Sequence, residues 1–335
     1  MKKRQLGQTD IYLSELGFGG ASIGNLYEPC SDQAAFDVIE NSWQLGIRYF
    51  DTAPEYGHGL SERRFGDALR SHPRDEYILS TKVGELLFAK ARQLPPENKF
   101  INKLPFHLKF DYSYDAIMRG FEDSLQRLGL NRIDIILVHD LDSIIHQPNI
   151  FKEYFKTYVE SGYKALDKLR SEGSIRAIGL GVKQWQVCFE AMKHGDYECF
   201  MLQGNYTIME QPAFEIFLPL CLKKKVSILL AGPYASGILA TGPVKGAYFH
   251  HKEAPPEILK RVKFIQDICK AHATPLQAVA IQFPLKHPAI ASVVIGSKSP
   301  VLMQDNINYA QFKIPSQLWN DLRDADVIPK EAPTE

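Results

Sequence analysis

The chain has 335 residues, of which 45% are hydrophobic and 23% are charged, and its 39 Lys and Arg residues balance its 39 Asp and Glu residues. The length suits two domains of about 150 residues or one large α/β barrel. This composition excludes a disordered chain, a collagen and a long coiled coil. A net charge of zero gives no field that favours nucleic acid or an anionic membrane, so we expect a small-molecule partner only.

The five cysteines are odd in number and widely spaced, and they form no metal-ligand or redox motif: Cys30, Cys188, Cys199, Cys221 and Cys269. This usage indicates reduced, mostly buried thiols. The amino terminus reads Met1-Lys2-Lys3-Arg4 and lacks the apolar stretch of a secretory signal. No run approaches the roughly 18 apolar residues of a membrane span. We therefore expect a cytoplasmic protein.

The pattern along the chain alternates between strands and helices. Residues 4–6 and 11–13 flank the turn-forming Gly7-Gln8-Thr9-Asp10 and predict a small opening hairpin. Short apolar runs predict eight strands, at 15–19, 48–51, 77–81, 133–138, 175–179, 199–202, 226–230 and 291–295. Amphipathic stretches predict eight helices, at 32–45, 61–69, 114–128, 163–171, 185–193, 212–224, 256–271 and 300–308. Thr274-Pro275 predicts one more helix, from Pro275 through Phe283.

Strands that alternate with single helices pair in parallel through right-handed crossovers, and eight such units close into a (β/α)₈ TIM barrel. We predict a single barrel domain over residues 1–335, with an N-terminal hairpin, extra C-terminal helices and a loose tail from about residue 329 to 335. An open doubly wound sheet is the alternative. Its phosphate-binding turn would need Gly or Ala where Gly17-Phe18-Gly19-Gly20-Ala21-Ser22 ends in serine.

One connection is too long for a simple turn. It runs from Thr81 to Tyr114, after the third predicted strand, which would place it over the mouth of the barrel. A lid or pocket wall and a plain scaffold insertion are equal interpretations. Residues 140–162 and 235–255 form further long segments after the fourth and seventh strands.

Four side chains of complementary chemistry lie at or just beyond predicted strand ends: Asp51, Tyr56, Lys82 and His139. Barrel enzymes build their active sites at this face. Each residue alone could be a cap, a packing residue or a solvated charge, but their joint placement favours a function. The ammonium would lower the pKa of the phenol, the carboxylate would hold the ammonium, and the imidazole would orient a substrate oxygen or relay a proton. The set suits proton transfer at an alcohol or carbonyl.

The sequence offers no cluster with three credible metal ligands, the nearest being His139-Asp140-Leu141-Asp142, so we predict no metal. Redox chemistry then requires a separate hydride carrier. Two turns of small residues after the seventh and eighth strands, at 232–237 and 293–300, would let backbone N–H groups hold its phosphates. Ordinary turns are the alternative at both places.

The motifs Phe50-Asp51-Thr52-Ala53-Pro54-Glu55-Tyr56-Gly57, Ser80-Thr81-Lys82-Val83 and Leu137-Val138-His139 resemble those of the aldo-keto reductase superfamily, and the resemblance covers nearly the whole chain. It implies a (β/α)₈ barrel and an oxidoreductase that uses a nicotinamide cofactor. It also implies a catalytic tetrad of Asp51, Tyr56, Lys82 and His139, with Tyr56 as proton donor or acceptor.

The same resemblance implies the cofactor contacts. They are Gly20, Ala21, Asp51 and Gln203 at the nicotinamide end, Ala231, Gly232, Pro233 and Ser236 at the pyrophosphate, and Gly296, Ser297, Lys298, Asp305 and Asn306 at the adenosine end. Gly181-Val182 and Ala231 depart from the superfamily's usual carboxamide and stacking residues. Leu302 stands where an arginine often grips a 2′-phosphate, so we expect NAD, with NADP as the alternative and Lys298 as a partial replacement for the arginine.

Within the superfamily, residues 104–113, the turn His139-Asp140-Leu141-Asp142 and residues 236–242 resemble the group of D-threo-aldose (L-fucose) 1-dehydrogenases and pyridoxal 4-dehydrogenases. That resemblance implies oxidation of a hemiacetal hydroxyl to a lactone, with the Tyr56 phenolate taking the proton. We expect an aldose such as L-fucose or D-arabinose, with the substrate contacts Tyr56, His139, Asp140, Asp142 and Tyr112. Pyridoxal is the alternative, held by an aromatic wall of Phe106, Phe110 or Tyr112.

Two other functions stay open at this point. One is an NADPH-linked aldehyde reductase. The main observation against it is Leu302, which stands in place of the phosphate-binding arginine. The other is a cofactor-binding, redox-sensing regulatory subunit of a potassium channel, for which the neutral charge gives no support. Solvent alone can satisfy the eight-helix exterior, so a monomer is the default expectation.

Overall fold

The computed structural model describes residues 1–334. The chain opens with an antiparallel hairpin of β1 (Lys3–Gln5) and β2 (Tyr12–Ser14), in which Arg4 lies opposite Leu13. Eight parallel strands then close into a barrel, and around it they follow the order β3 (Leu16–Gly19), β4 (Tyr49–Asp51), β5 (Ile78–Val83), β8 (Ile135–His139), β9 (Ala177–Val182), β10 (Cys199–Gln203), β11 (Ser227–Ala231) and β14 (Ile290–Ile295). The predicted (β/α)₈ barrel is confirmed.

The four strands outside the barrel and the opening hairpin form two further hairpins at the mouth of the barrel. They are β6 (Glu85–Phe88) with β7 (His107–Phe110), and β12 (Tyr248–Phe249) with β13 (Lys252–Glu253). The first belongs to the segment at residues 84–113, called the insertion below. The second forms residues 248–253, called the strap below.

The helices surround the barrel and end the chain. They are α1 (Asp32–Gln44), α2 (Leu60–Leu69), α3 (Tyr114–Leu128), α4 (Pro148–Thr157), α5 (Tyr163–Ser171), α6 (Trp185–Ala191), α7 (Phe217–Lys224), α8 (Ile238–Thr241), α9 (Pro256–Ala271), α10 (Leu276–Leu285), α11 (Pro300–Gln311) and α12 (Ser316–Asp324). A π-helical turn at Tyr158–Gly162 joins α4 to α5. Residues 212–216 form turns, so α7 begins later than the predicted helix at 212–224.

Local sequence sets several helix ends. Ser31 and Ser113 cap α1 and α3, because each hydroxyl accepts a hydrogen bond from the backbone N–H three residues on. Gly129 ends α3 in the left-handed conformation, with φ of 62°. These caps place the following strands against the barrel at the predicted positions.

The core has two parts. Inside the barrel, side chains such as Tyr49, Leu137 and Met201 pack together, and Leu6 and Ile11 of the opening hairpin cover this cluster from below. A larger apolar layer lies between the strands and the helices. The closed lower end leaves the carboxyl ends of the strands as the accessible face.

The end of the described chain packs against the protein, where a loose tail was expected. Ala332 and Thr334 are buried, and Arg323 donates hydrogen bonds to the Ala332 carbonyl and the Thr334 hydroxyl. Glu335 lies outside the described residues. All five cysteines are buried and free. Over residues 1–334, no helix combines the length and the apolar character that crossing a membrane requires.

Candidate active site

A cavity of about 340 Å³ opens at the carboxyl ends of the barrel strands. Its floor carries all four residues predicted as the tetrad: Asp51, Tyr56, Lys82 and His139. They come from β4, the loop after it, β5 and β8, which are neighbours in the barrel. The parallel topology therefore brings together side chains that are up to 88 residues apart, counting from Asp51 to His139.

Lys82 and Asp51 form an ion pair at the base of the cavity. The Lys82 Nζ donates to Asp51 Oδ2 at 2.7 Å and to the Thr52 carbonyl at 2.8 Å. The other Asp51 oxygen accepts from Ser80 Oγ at 2.6 Å, and Ser80 is in turn bonded to Tyr49. The ammonium is thus held in one position, with its charge matched by a carboxylate.

Tyr56 lies above this pair. Its ring centroid is 4.8 Å from Lys82 Nζ, 5.7 Å from the His139 ring and 5.9 Å from the Phe100 ring. Burial raises the pKa of the Tyr56 phenol well above 10, and nearby carboxylates, Asp51 first, add to the rise. We expected Lys82 to lower this pKa, but its N–H groups point to Asp51 and Thr52. The protein alone therefore keeps Tyr56 protonated.

His139 is held by the insertion. Its Nδ1 donates to Glu85 Oε2 at 3.0 Å, and its backbone carbonyl accepts from the Tyr112 hydroxyl at 2.9 Å. Burial works against the charged imidazole, but Glu85 and Asp140 outweigh burial and raise the pKa of His139. The ring therefore has a fixed orientation beside Tyr56.

The wall of the cavity beside His139 and Tyr56 carries charges of both signs. Asp140 follows β8 with φ of 48°, and Lys99 of the insertion lies 3.0 Å from Glu55 Oε1. Burial works to raise the pKa of Asp140, but His139, Lys183 and Lys99 outweigh it, so the pKa is lowered. Burial works to lower the pKa of Lys99, but Glu55 and Asp140 reverse the effect and raise it. These groups stay ionised and can bind hydroxyls.

Four of these groups also have the chemistry of metal ligands. Atoms of Glu55, Glu85, His139 and Asp140 lie within 4.8 Å of one another. The sequence search missed this set because its members follow three different strands. Glu55 is paired with Lys99, and Glu85 is paired with His139. Two of the three carboxylates are therefore already balanced by side chains of the protein without a metal ion.

The predicted cofactor contacts divide into two groups. Lining the cavity are Ala21, Asp51, Gln203, Ala231, Gly232, Pro233, Ser236 and Gly296. The others lie behind or beyond its wall: Gly20, whose N–H donates to the Asp51 carbonyl, and Ser297, Lys298, Asp305 and Asn306.

The loop after β11 fits a pyrophosphate. Gly232, Ala235, Ser236 and Gly237 all have positive φ, between 47° and 98°, and this winding exposes backbone along the cavity. A Cβ on Gly237 would meet nothing within 4 Å, so the loop faces open space. After the neighbouring strand β14, a Cβ on Gly296 would lie 2.6 Å from Ser22 Oγ and 3.1 Å from the Gly19 carbonyl oxygen, so a larger residue would displace its neighbours. The residues present therefore fit a dinucleotide.

The residues predicted for the adenosine end lie on α11 and just before it, and Lys298 is bonded to the loop before α1. Lys298 Nζ donates to Glu28 Oε2 at 2.6 Å, across 270 positions of sequence. Asn306 is buried and accepts from the Tyr234 hydroxyl at 2.5 Å. Leu302 is exposed.

The strap crosses the mouth. His251 Nε2 lies 2.7 Å from Gln203 Nε2, and its Nδ1 bonds to the Tyr27 hydroxyl on the opposite side. Burial lowers the pKa of His251 to about 4, so the ring is neutral at pH 7. The Gln203 side-chain amide, predicted to bind the carboxamide of the cofactor, is thus hydrogen-bonded to the strap.

Two predicted substrate contacts lie outside the cavity. Asp142 is buried, and its carboxylate accepts hydrogen bonds from the backbone N–H groups of Ile144, Ile145 and Lys183. Tyr112 is buried behind His139 and bonds to its carbonyl and to His146. Both side chains are committed to structure, whereas Asp140 lines the cavity as expected. Phe106 and Phe110, expected as an aromatic wall, do not line it either.

Sequence reasoning missed several residues that line or support the site: Tyr27, Glu55, Glu85, Lys99, Phe100, Lys183 and His251. Glu85 had a usable signal, because it follows β5 by two positions at the active face. Lys99 and His251 had none, since they lie in irregular or very short elements.

Comparison with known proteins agrees with this geometry. The model of the aldo/keto reductase family matches residues 15–327. The chain belongs to the aldo/keto reductase family. It is an oxidoreductase, and members of this family use NAD(P)H cofactors.

Two relatives match nearly the full length. Pyridoxal 4-dehydrogenase of Microbacterium luteolum is 39% identical, covering 98% of each chain. D-threo-aldose 1-dehydrogenase of a Pseudomonas species is 37% identical, covering 95% of this chain and 96% of that one. The holo form of an aldo-keto reductase from Bacillus halodurans is similar in structure, with a TM-score of 0.75, 27% identity and 99% coverage of both chains.

Proposed function

We propose that this protein is an NAD-dependent dehydrogenase that oxidises the C1 hemiacetal hydroxyl of a free aldose, such as L-fucose or D-arabinose, to the lactone. The main support is the position of Tyr56, which lies between the Lys82–Asp51 pair and His139 at the floor of a cavity that fits a dinucleotide. The likeness to D-threo-aldose 1-dehydrogenase and pyridoxal 4-dehydrogenase adds the hemiacetal as the reacting group.

In this reaction C1 loses a hydride and its hydroxyl loses a proton, which leaves the lactone carbonyl. Bound NAD⁺ supplies the hydride acceptor and a positive charge that favours phenolate. Tyr56 takes the hydroxyl proton, and the Lys82 ammonium, held by Asp51, lies 4.8 Å from the centroid of its ring. His139 faces the same point from the side and orients the C1 oxygen.

The charged wall of the cavity beside His139 suits a polyhydroxylated substrate. Asp140, Glu55 and Lys99 present two carboxylates and an ammonium there, and sugar hydroxyls can donate to the former and accept from the latter. Phe100 offers an apolar face beside Tyr56 for the ring carbons of the sugar. A plain aldehyde has no hydroxyls to bond with these groups, which argues against a general aldehyde reductase.

The preference for NAD rests on α11 and its neighbour. Position 302 is an exposed leucine, where an arginine would bind a 2′-phosphate. Lys298 is paired with Glu28 at 2.6 Å. Glu28 both neutralises the remaining cation and adds a negative charge where the phosphate would lie. NAD, which lacks that phosphate, meets neither obstacle.

Pyridoxal is the second candidate, and Phe100 favours it. Pyridoxal reacts as an internal hemiacetal, so the same Tyr56 would act on it. The Phe100 ring, 5.9 Å from Tyr56, could stack on the pyridine, with Lys99 beside it to meet the phenolate oxygen. The neutral surface charge favours small-molecule substrates over nucleic acid or membrane in either case.

The test is the initial rate of absorbance change at 340 nm with NAD or NADP, against L-fucose, D-arabinose, L-galactose and pyridoxal. We expect NAD reduction with an aldose, and a loss of at least about 100-fold in Tyr56→Phe. Tyr12→Phe, an exposed position on the opening hairpin, should match the unaltered protein. Equal turnover in Tyr56→Phe would contradict the mechanism. Turnover of pyridoxal alone would replace the aldose as substrate.

A further inference from the structure

The insertion begins with a carboxylate that reaches the catalytic floor. Glu85 is the first residue of β6, its side chain is 0% exposed, and its Oε2 accepts from His139 Nδ1 at 3.0 Å. The His139 side chain is 7% exposed. Tyr112, at the other end of the insertion, bonds to the His139 carbonyl. The imidazole and its backbone are therefore both fixed by this one segment.

This contact decides which nitrogen meets the substrate. A carboxylate can only accept hydrogen bonds, so His139 Nδ1 carries a proton and Nε2 faces the cavity beside Tyr56. A neutral ring would present a lone pair at Nε2. A charged ring would present an N–H there, which can donate to a substrate oxygen.

The charges around His139 favour the second form. Burial opposes the cation, but Glu85 and Asp140 outweigh burial and the repulsion from Lys82, and they raise the pKa of His139. Asp140 Oδ1 lies 3.9 Å from Nε2. The other ionisable groups around His139 are Tyr56, Glu55, Lys99 and Lys183, which line the cavity, and Tyr112, which is buried behind His139.

The second oxygen of Glu85 supports the assignment. Among residues 1–334, the buried Oε1 finds no hydrogen-bond partner. Burial raises the pKa of the Glu85 carboxyl, and the nearby His139 acts against this rise. The Glu85 charge also reaches Lys99, but its hydrogen bond is to His139. Among the described residues, the Glu85 carboxylate therefore makes its side-chain hydrogen bond to the His139 imidazole.

We propose that Glu85 is a positioning residue that holds His139 as an imidazolium, so that Nε2–H donates a hydrogen bond to the C1 oxygen while Tyr56 takes the proton. This inference rests on the proposed oxidation of a hemiacetal. The pairing itself, however, concerns only the two side chains and can be measured without turnover.

The test compares Glu85→Gln with the unaltered protein. Glutamine keeps the shape and an oxygen that accepts from Nδ1–H, but it removes the charge. The pKa of His139, followed by NMR in cofactor-free protein and assigned with His139→Gln, should fall by at least about one unit. In a plot of kcat/KM against pH, the fall on the basic side should shift to lower pH by the same amount. On that side kcat/KM should drop about tenfold, and at pH 6 it should change little.

Two further variants separate charge from folding. Glu85→Asp keeps the charge and should retain most of the original basic limb. Glu62→Gln removes another fully buried carboxylate, paired with Arg127 and bonded to Thr81, and should lower thermal stability without moving either profile.

An unchanged His139 titration in Glu85→Gln would overturn the proposal, as would equal shifts in Glu62→Gln. A shifted titration with an unshifted activity profile would also overturn the catalytic role. If the unaltered protein oxidises no hemiacetal but the His139 pKa still falls in Glu85→Gln, the charge pairing is supported and the proposed substrate is wrong.

Discussion

Lys82 and Asp51 form a salt bridge of 2.7 Å whose side chains are 1% and 3% exposed. Removing one partner of such a pair leaves an uncompensated buried charge. We expect Asp51→Asn to lower the free energy of unfolding by about 3 kcal/mol and to abolish most activity. Urea unfolding and initial rates measure the two effects.

The double variant Asp51→Asn with Lys82→Met is the control, because it removes both charges together. It should recover at least about half of the lost stability while remaining inactive. A single Asp51→Asn variant as stable as the original protein would show that Thr52 alone holds the ammonium.

The Lys298–Glu28 pair predicts a change in cofactor choice. Glu28→Ala should free Lys298, and its ammonium can then bind a 2′-phosphate. We expect the Kd for NADP to fall roughly fivefold and the Kd for NAD to stay within about twofold, since the pair is partly exposed. Fluorescence titration measures both. Glu172→Ala, another exposed carboxylate, is the control, and a parallel change for NAD and NADP would argue against the assigned role.

Lys99 predicts a change in substrate affinity. Lys99→Met keeps the length of the side chain and removes the ammonium, so the proposed contact with a sugar hydroxyl is lost. A hydrogen bond to a charged group is worth about 1.5–3 kcal/mol, so KM for the aldose should rise at least about tenfold. kcat should change less, because Lys99 takes no part in the proposed proton transfer. Steady-state kinetics with 2-hydroxytetrahydropyran, a cyclic hemiacetal without further hydroxyls, gives the control, and an equal rise in its KM would refute the contact.

His287 predicts acid sensitivity of the fold. It is buried against Tyr206, its Nδ1 accepts from the Ala289 N–H, and burial lowers its pKa to about 4. The unfolded chain, with a pKa near 6.5, therefore binds more protons than the folded chain between pH 6.5 and 4. Stability is complete above this window and falls on acidification, by about 2 kcal/mol from pH 7 to pH 5.

Urea unfolding at both pH values measures this loss. His287→Asn keeps an acceptor for Ala289 and should reduce the difference between pH 7 and pH 5. His194→Gln, at an exposed position, should leave the difference unchanged. An undiminished difference in His287→Asn would place the acid sensitivity elsewhere, for example at His251, whose pKa also lies near 4.

The barrel and the four floor residues could be predicted because both follow from regular patterns. Alternating apolar runs and amphipathic stretches define the eight strands, and parallel pairing puts every strand end on one face. Asp51, Lys82 and His139 lie at or near the ends of three consecutive barrel strands, so their meeting required no knowledge of the loops.

The loops could not be predicted in the same way. Glu85 meets His139 across 54 residues, and Lys99 and His251 reach the cavity from segments without periodicity. Residue type was also misleading there. Asp142 was assigned to the substrate, but its carboxylate is satisfied by neighbouring backbone N–H groups, which is a common role for aspartate in turns.

The insertion holds Glu85 at one end and Lys99 farther along, so one segment contacts His139 and also lines the cavity. It is therefore not an interchangeable cover. Grafting the corresponding segment of a relative onto this barrel would replace Lys99 and Phe100 of the cavity wall and the carboxylate beside His139 in a single step. From the proposed roles of Glu85 and Lys99, we expect such a graft to change the substrate range and the optimum pH together.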